Sequence, residues 1–234
     1  VWEVLNDLDN RNNWRDHPSQ FLIEKFIEGD VFHVDSVVHE GKVVAAGVSR
    51  YGRPPFSVSH YGGVFTTSIV EYGSKERKEL EKLNTKLLKA FKYEEGVTHG
   101  EFLRGKDDGK FYLLEVACRV GGAYIANVLD NACGFNLWRE WAKLSVADKE
   151  HPYEKPKVRK EYAGVALALS KDEEPDTSHY TDPEIVYRVK KPKHVGLIFH
   201  SPDKQRVDDL LEEYTRRISD DFLAVAPAKE RYDD

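Results

Sequence analysis

Apolar residues recur along this chain in two rhythms, and the change from one to the other marks out its elements. Leu80, Leu83, Leu87, Leu88 and Phe91 fall at intervals of three and four, the repeat of an amphipathic helix. Ser74 stands where an N-cap is expected, Glu76 occupies the first turn, and Gly96 is expected to close the segment. Ile125, Val128, Leu129 and Ala132 predict a second helix ended by Gly134. Asn136 opens a third, with Leu137, Trp138, Trp141 and Leu144 inward. Val207, Leu210, Leu211, Tyr214 and Ile218 predict a last helix, capped by Ser201-Pro202. Val1 to Asp16 shows a weaker helical spacing through Trp2, Val4, Leu5 and Leu8.

Short apolar or alternating runs predict strands between the helices. Phe21 to Gly29 reads as a strand entering a glycine turn, followed by Val31 to Val38, Lys42 to Val48 and Val64 to Glu71. Later strands are expected over Tyr162 to Leu169, Ile185 to Val189 and His194 to His200. Residues 50–63, rich in Gly, Pro, Ser and Tyr, predict a mobile loop. Strands and helices mix without strict βαβ alternation, which predicts an α+β fold: an antiparallel sheet packed with helices. The charged, proline-containing stretch 151–160 is expected to separate a first domain, residues 1–150, from a small C-terminal α/β subdomain, residues 151–234.

Composition narrows the function classes. A net charge of −6 argues against an electrostatic nucleic-acid binder. No apolar run approaches a membrane span and no secretory signal opens the chain, so neither membrane nor nucleic acid is an expected partner. Cys118 and Cys133 have neither metal-site nor disulfide-framework spacing and read as reduced thiols of a cytoplasmic protein. The chain begins at Val1 and contains no methionine.

Candidate chemistry concentrates between Gly100 and Gly122. Gly100-Glu101-Phe102-Leu103 and Phe111-Tyr112-Leu113-Leu114-Glu115-Val116 flank a turn around Lys106-Asp107-Asp108-Gly109, the pattern of a β-hairpin. Glu101 and Glu115 can then reach one face, where two adjacent carboxylates repel unless a cation such as Mg²⁺ lies between them. Arg119 follows the second strand, and Gly121-Gly122 would let a ligand approach the backbone closely. A pair of acids, a fixed cation and an open glycine turn point to phosphoryl chemistry. His99 lies beside this hairpin and is expected to be a satisfied core histidine.

Two of these segments, in this order, resemble the C-terminal two-thirds of an ATP-grasp ligase, over about residues 15 to 145. Phe21-Leu22-Ile23-Glu24-Lys25-Phe26-Ile27-Glu28-Gly29 looks like the strand and hinge that hold adenine in that family. Gly100-Glu101-Phe102 with Leu114-Glu115 and Arg119-Val120-Gly121-Gly122 looks like its metal-binding hairpin. The resemblance implies ATP held by backbone groups of Lys25 and Ile27, with Phe26 giving apolar surface, Glu24 placed for the adenine amino group and Asp30 for the ribose. It implies Mg²⁺, with Mn²⁺ as a substitute, on Glu101 and Glu115, and Arg119 gripping the substrate carboxylate. The implied reaction is an ATP-dependent amide-forming ligation of a small-molecule carboxylate and amine through an acylphosphate.

Glu115-x-Ala117-x-Arg119-x-Gly121-Gly122 looks most like the ligases that join free amino acids; many family members carry Asn where this chain has Ala117. That departure leaves water or Asn127 to complete the cation's ligands. Arg50 and Arg53 are further candidates for an anionic substrate. Alternatives are a nucleotide-binding relative without turnover, or a purine- or carbamoyl-phosphate-type ligase. The family's phosphate-binding lysines find no counterpart before Phe21, so a longer ligase is expected, inactive in this form, with a homodimer left open.

Overall fold

The computed structural model describes residues 24–224. Its frame is a single eight-stranded sheet in which every neighbouring pair is antiparallel. The strands are β1 (Gly29–His39), β2 (Lys42–Tyr51), β3 (Phe65–Ile69), β4 (Gly96–Gly105), β5 (Phe111–Ala117), β6 (Tyr162–Leu169), β7 (Ile185–Arg188) and β8 (His194–Ser201). Their order across the sheet is β5-β4-β1-β2-β3-β6-β8-β7. Among the described residues, five helices accompany them: α1 (Pro55–Tyr61), α2 (Lys75–Ala90), α3 (Ile125–Cys133), α4 (Leu137–Val146) and α5 (Lys204–Asp221). This is the α+β architecture that the two rhythms predict.

Alternation along the strands decides which helix covers which face. Phe32, Val34 and Phe102 turn toward α2 and form a small cluster with Leu80, and Asn84 of α2 donates to Ser36 at 2.8 Å. The same face meets α5, where Leu211 sits against Gly164 so closely that a Cβ there would lie 2.7 Å from it. The opposite face receives α3: Leu129 fills the space a Cβ on Gly47 would need. Buried residues of α3, α5, β6 and β8 join one large core. Because β3 pairs with β6, the strands following residue 160 continue the sheet of the strands before it.

Several local expectations are corrected. Glu24 to Glu28 form no regular element, and Gly29 begins β1 instead of making a turn. Glycine is required there because the Arg104 carbonyl oxygen lies 2.0 Å from where a Cβ would stand. The expected loop 50–63 contains α1, a helix started by Pro55 at the first helical positions and without a buried residue. The helix capped by Ser74, whose hydroxyl accepts from the Arg77 N–H, stops at Ala90; Gly96 opens β4 with a φ of +123°. Trp138 is 60% exposed rather than inward. The cap of α5 is Asp203, which accepts from the Gln205 N–H, and not Ser201-Pro202. The predicted helix over residues 1–16 and the start of the hinge strand, Phe21 to Ile23, lie outside the described residues.

Candidate active site

The hairpin brings the two acids together, but through a feature that spacing does not reveal. From Arg104↔Phe111 to Phe102↔Leu113 the register is regular, and continued unchanged it would pair Glu101 with Leu114 and turn Glu115 to the other face. A bulge after Glu101 leaves Leu114 as an extra residue and sets Glu115 directly across from Glu101. Residues opposed in this way have Cα atoms roughly 4.5–5.5 Å apart, close enough for like charges to destabilise the pair.

The two carboxylates are held differently. Glu101 accepts from the Tyr51 hydroxyl at 2.6 Å and faces His99 Nε2 at 3.3 Å, and both partners use Oε1. Among the described residues, none bonds its Oε2. Glu115 is 59% exposed, with its nearest cation, Arg119 Nη2, at 3.9 Å. Arg119 also donates to the Val120 carbonyl oxygen. A carboxylate oxygen without a partner, on the residue directly across the strand pair from an exposed, weakly partnered carboxylate, suits a hard divalent cation that takes oxygen ligands.

Behind Glu101 lies a buried chain that the residue patterns did not single out as a site. His33 and Asp35 of β1 stand across from Glu101 and His99 of β4, on the same face. The Asp35 carboxylate bridges both imidazoles, with Oδ2 at 2.5 Å from His33 Nδ1 and Oδ1 at 2.8 Å from His99 Nδ1. His33 Nε2 lies 2.7 Å from Thr67 Oγ1, whose hydroxyl donates to the Arg50 carbonyl oxygen. Burial alone would push Asp35 up, yet His33 and then His99 outweigh it and hold the carboxyl well below its ordinary 3.8. Burial would likewise lower His99; the Asp35 carboxylate, assisted by Glu101, raises it to about 10 instead. Burial pushes Glu101 up, but the hydrogen bonds from His99 and Tyr51 leave it below its ordinary value. Burial and then the bond to Glu101 drive Tyr51 far upward, so its hydroxyl stays a donor.

These shifts predict a pH profile for the cation-free protein. His99 is raised, so its contribution to stability is complete below about pH 6.5 and is lost as pH climbs toward 10. Asp35 is lowered, so its contribution is present above about pH 3.8 and disappears on acidification. Thermal midpoints measured in chelator are therefore expected to be highest between about pH 4 and 6.5. A midpoint that rises steadily from pH 6.5 to 9 would contradict this.

The first glycine of the pair Gly121-Gly122 is explained from inside the protein. A Cβ on Gly121 would stand 2.9 Å from both Asp35 Oδ1 and His99 Nδ1, so this glycine makes room for the buried pair rather than for a ligand. Gly122 faces open space. The hinge candidates enter β1 next to the hairpin turn, where Lys106 N–H donates to the Glu28 carbonyl oxygen at 2.8 Å. Glu24, Lys25 and Phe26 are exposed and Ile27 half-buried. Among the described residues, the N–H and C=O groups of Lys25 and Ile27 take no backbone partner.

Asp30 is not brought to Glu101. It stands on the opposite face of β1, bridged to Arg50 at 3.0 Å. Both line a groove of about 760 Å³ that runs between α2 and α5, with Glu76 and Arg104. Asn127 sits half-buried in the first turn of α3.

The antiparallel sheet, its helices and the hairpin that sets two acids across from each other make up an α+β architecture. A family model for the ATP-grasp domain matches residues 3–127, and the chain belongs to the ATP-grasp family. An L-arginine-specific L-amino acid ligase of Bacillus subtilis is 26% identical over 129 residues, spanning 55% of this chain and 30% of that protein. The crystal structure of L-amino acid ligase from Bacillus licheniformis matches with a TM-score of 0.61 at 17% identity, over 87% of this chain and 55% of that one. A carboxyaminoimidazole ribonucleotide synthase from Aspergillus clavatus, complexed with ATP, matches with a TM-score of 0.60 at 12% identity, over 83% of this chain and 52% of that one. At these identities the solved structures show a shared fold. The chain thus spans about half the length of the solved relatives and less of the curated one. Among the described residues, no helix is long and apolar enough to cross a membrane.

Proposed function

We propose that this chain is the nucleotide- and cation-holding part of a cytoplasmic ATP-dependent ligase that joins a carboxylate to an amine, with free amino acids as the substrates. The observation that carries the reading is the placement of Glu101 directly across from Glu115 by the Leu114 bulge. Those two side chains would hold Mg²⁺, or Mn²⁺ in its place, and the ion when bound neutralises charge on the phosphoryl oxygens of ATP. The open backbone groups of Lys25 and Ile27 receive the adenine edge, with Phe26 as apolar surface and Glu24 near the amino group. Asp30, the residue proposed for the ribose, is bridged to Arg50 on the far face of β1, so it would meet the ribose from that side.

Arg119 has the chemistry to hold a substrate carboxylate in a bidentate grip, and it is half-exposed beside Glu115. The held carboxylate oxygen attacks the γ-phosphorus of ATP, and the bond from that phosphorus to ADP breaks. The amine nitrogen then attacks the acyl carbon, phosphate leaves with the former carboxylate oxygen, and the nitrogen loses a proton. The Arg119 guanidinium balances the negative oxygen that forms at the acyl carbon. In this reading residues 1–150 carry these groups and residues 151–234 form a C-terminal subdomain, whose described strands β6, β8 and β7 extend the sheet beyond β3.

The names of the Bacillus relatives support amino acids as substrates, and Glu115-x-Ala117-x-Arg119-x-Gly121-Gly122 supports the same choice. The test is ADP formation by the full-length protein with pairs drawn from the common amino acids. ADP is expected only when an acid and an amine component are both present, in step with dipeptide. ADP release that ignores every amino acid would contradict the reading.

A further inference from the structure

The buried His33–Asp35–His99 chain is too well closed to be a metal centre of its own. Two ligands on one tetrahedral zinc with bonds near 2.0–2.1 Å stand about 3.3 Å apart. Each Asp35 oxygen instead lies at hydrogen-bond distance from an imidazole, 2.5 Å in one case and 2.8 Å in the other. The remaining ring nitrogens are also engaged, by Thr67 and by Glu101. What the chain does have is an outlet, because it ends on the one carboxylate in this cluster that reaches the open face.

We infer that Thr67, His33, Asp35 and His99 form a positioning chain which, with Tyr51, clamps Oε1 of Glu101 and presents Oε2 to the cation. The inference rests on the assignment of Glu101 and Glu115 as the cation's holders. Three strands contribute: Thr67 from β3, His33 and Asp35 from β1, and His99 from β4. The members are at most 3% exposed, so each is locked by packing as well as by its bonds. Both clamping donors act on the same oxygen of Glu101. A carboxylate fixed in this way does not have to be ordered when the ion arrives, which is how outer-shell partners strengthen metal binding.

The two ring nitrogens of His99 do different work, and this makes the idea testable. An amide on Asn mimics Nδ1 and an amide on Gln mimics Nε2. His99→Asn keeps the bond to Asp35 and loses the one to Glu101; His99→Gln keeps the bond to Glu101 and loses the one to Asp35. Mn²⁺ binding is read by the electron paramagnetic resonance of the free ion, on full-length protein saturated with a non-hydrolysable ATP analogue. Thermal midpoints are taken in parallel without metal.

His99→Asn is expected to weaken Mn²⁺ binding about 10- to 100-fold with a small change in midpoint. His99→Gln is expected to do the reverse, lowering the midpoint while holding Mn²⁺ within about threefold of the parent. Tyr51→Phe, which keeps the ring and removes the donor, should weaken Mn²⁺ binding as His99→Asn does. Equal Mn²⁺ affinity in His99→Asn, Tyr51→Phe and the parent would overturn the positioning chain. Glu115→Gln is the control. If it abolishes Mn²⁺ binding while His99→Asn does not, the positioning chain alone fails. If it too leaves binding unchanged, the cation assignment fails and takes the positioning chain with it.

Discussion

Glu115→Gln is expected to lower ATP-dependent ligation at least about 100-fold while leaving the cation-free protein as stable as before, or more stable by up to about 1 kcal/mol. The two halves of this expectation have one cause. Glu115 stands directly across an antiparallel pair from Glu101, where two like charges destabilise the hairpin whenever no cation lies between them. Its exposure, 59%, screens that repulsion and keeps the stability gain small. The neutral amide removes the repulsion and also removes half of the site's charge for a divalent ion. A merely structural Glu115 would give the opposite pair of results, with stability falling and turnover following it. Steady-state ADP formation and urea unfolding in chelator, run on the same preparation, separate the two.

Asp35→Ala is expected to have the largest effect on stability, a loss of about 3–5 kcal/mol. Asp35 is fully buried and is the only carboxylate that bridges His33 and His99 among the described residues. Its removal leaves His99 buried beside Glu101 alone and strands His33 Nδ1 without an acceptor. Taking one member from a buried charged network costs more than the network contributes as a whole, because the partners stay desolvated. Asp35→Asn, which keeps one acceptor oxygen, should fall between the parent and Asp35→Ala. Urea midpoints at pH 6 give the order, and an Asp35→Ala protein within 1 kcal/mol of the parent would sink the network's structural role.

How far the residues reveal the site depends on the kind of contact that makes it. The helix stripes over Leu80 to Leu88 and Val207 to Ile218 reappear as buried faces because packing against a sheet enforces their spacing. The hairpin is legible from its turn, and so is the presence of one acid on each strand. Their direct opposition is not, because it depends on Leu114 bulging out of register, and nothing in the run Leu113-Leu114-Glu115 distinguishes a bulge from regular pairing.

Asp30 illustrates the converse. It follows the hinge closely in sequence, yet strand alternation turns it to Arg50 on the far side of the sheet. His33 and Asp35 did carry a signal, two ionisable residues alternating with Phe32 and Val34 in a strand between apolar neighbours. That signal is readable only once both faces of β1 are covered, by α2 on one side and the loop of Gly121 on the other. Gly121 itself reads as an opening for a ligand until Asp35 and His99 are seen against it. The short α1 hides in a Gly- and Pro-rich stretch because it buries nothing and so shows no apolar stripe.

The most direct test of the account is the nucleotide-dependent thermal midpoint of the full-length protein with and without Mg²⁺, compared between the parent, Glu101→Gln and Glu115→Gln. Ligand binding to the native state alone adds about 2.7 kcal/mol at one hundred times the dissociation constant, a shift easily resolved. The midpoint of the parent is expected to rise with Mg·ATP, and in both variants that rise should collapse to the level seen with ATP in chelator. An equal rise with Mg·ATP in all three proteins would contradict it, and the paired glutamates would then not hold the cation.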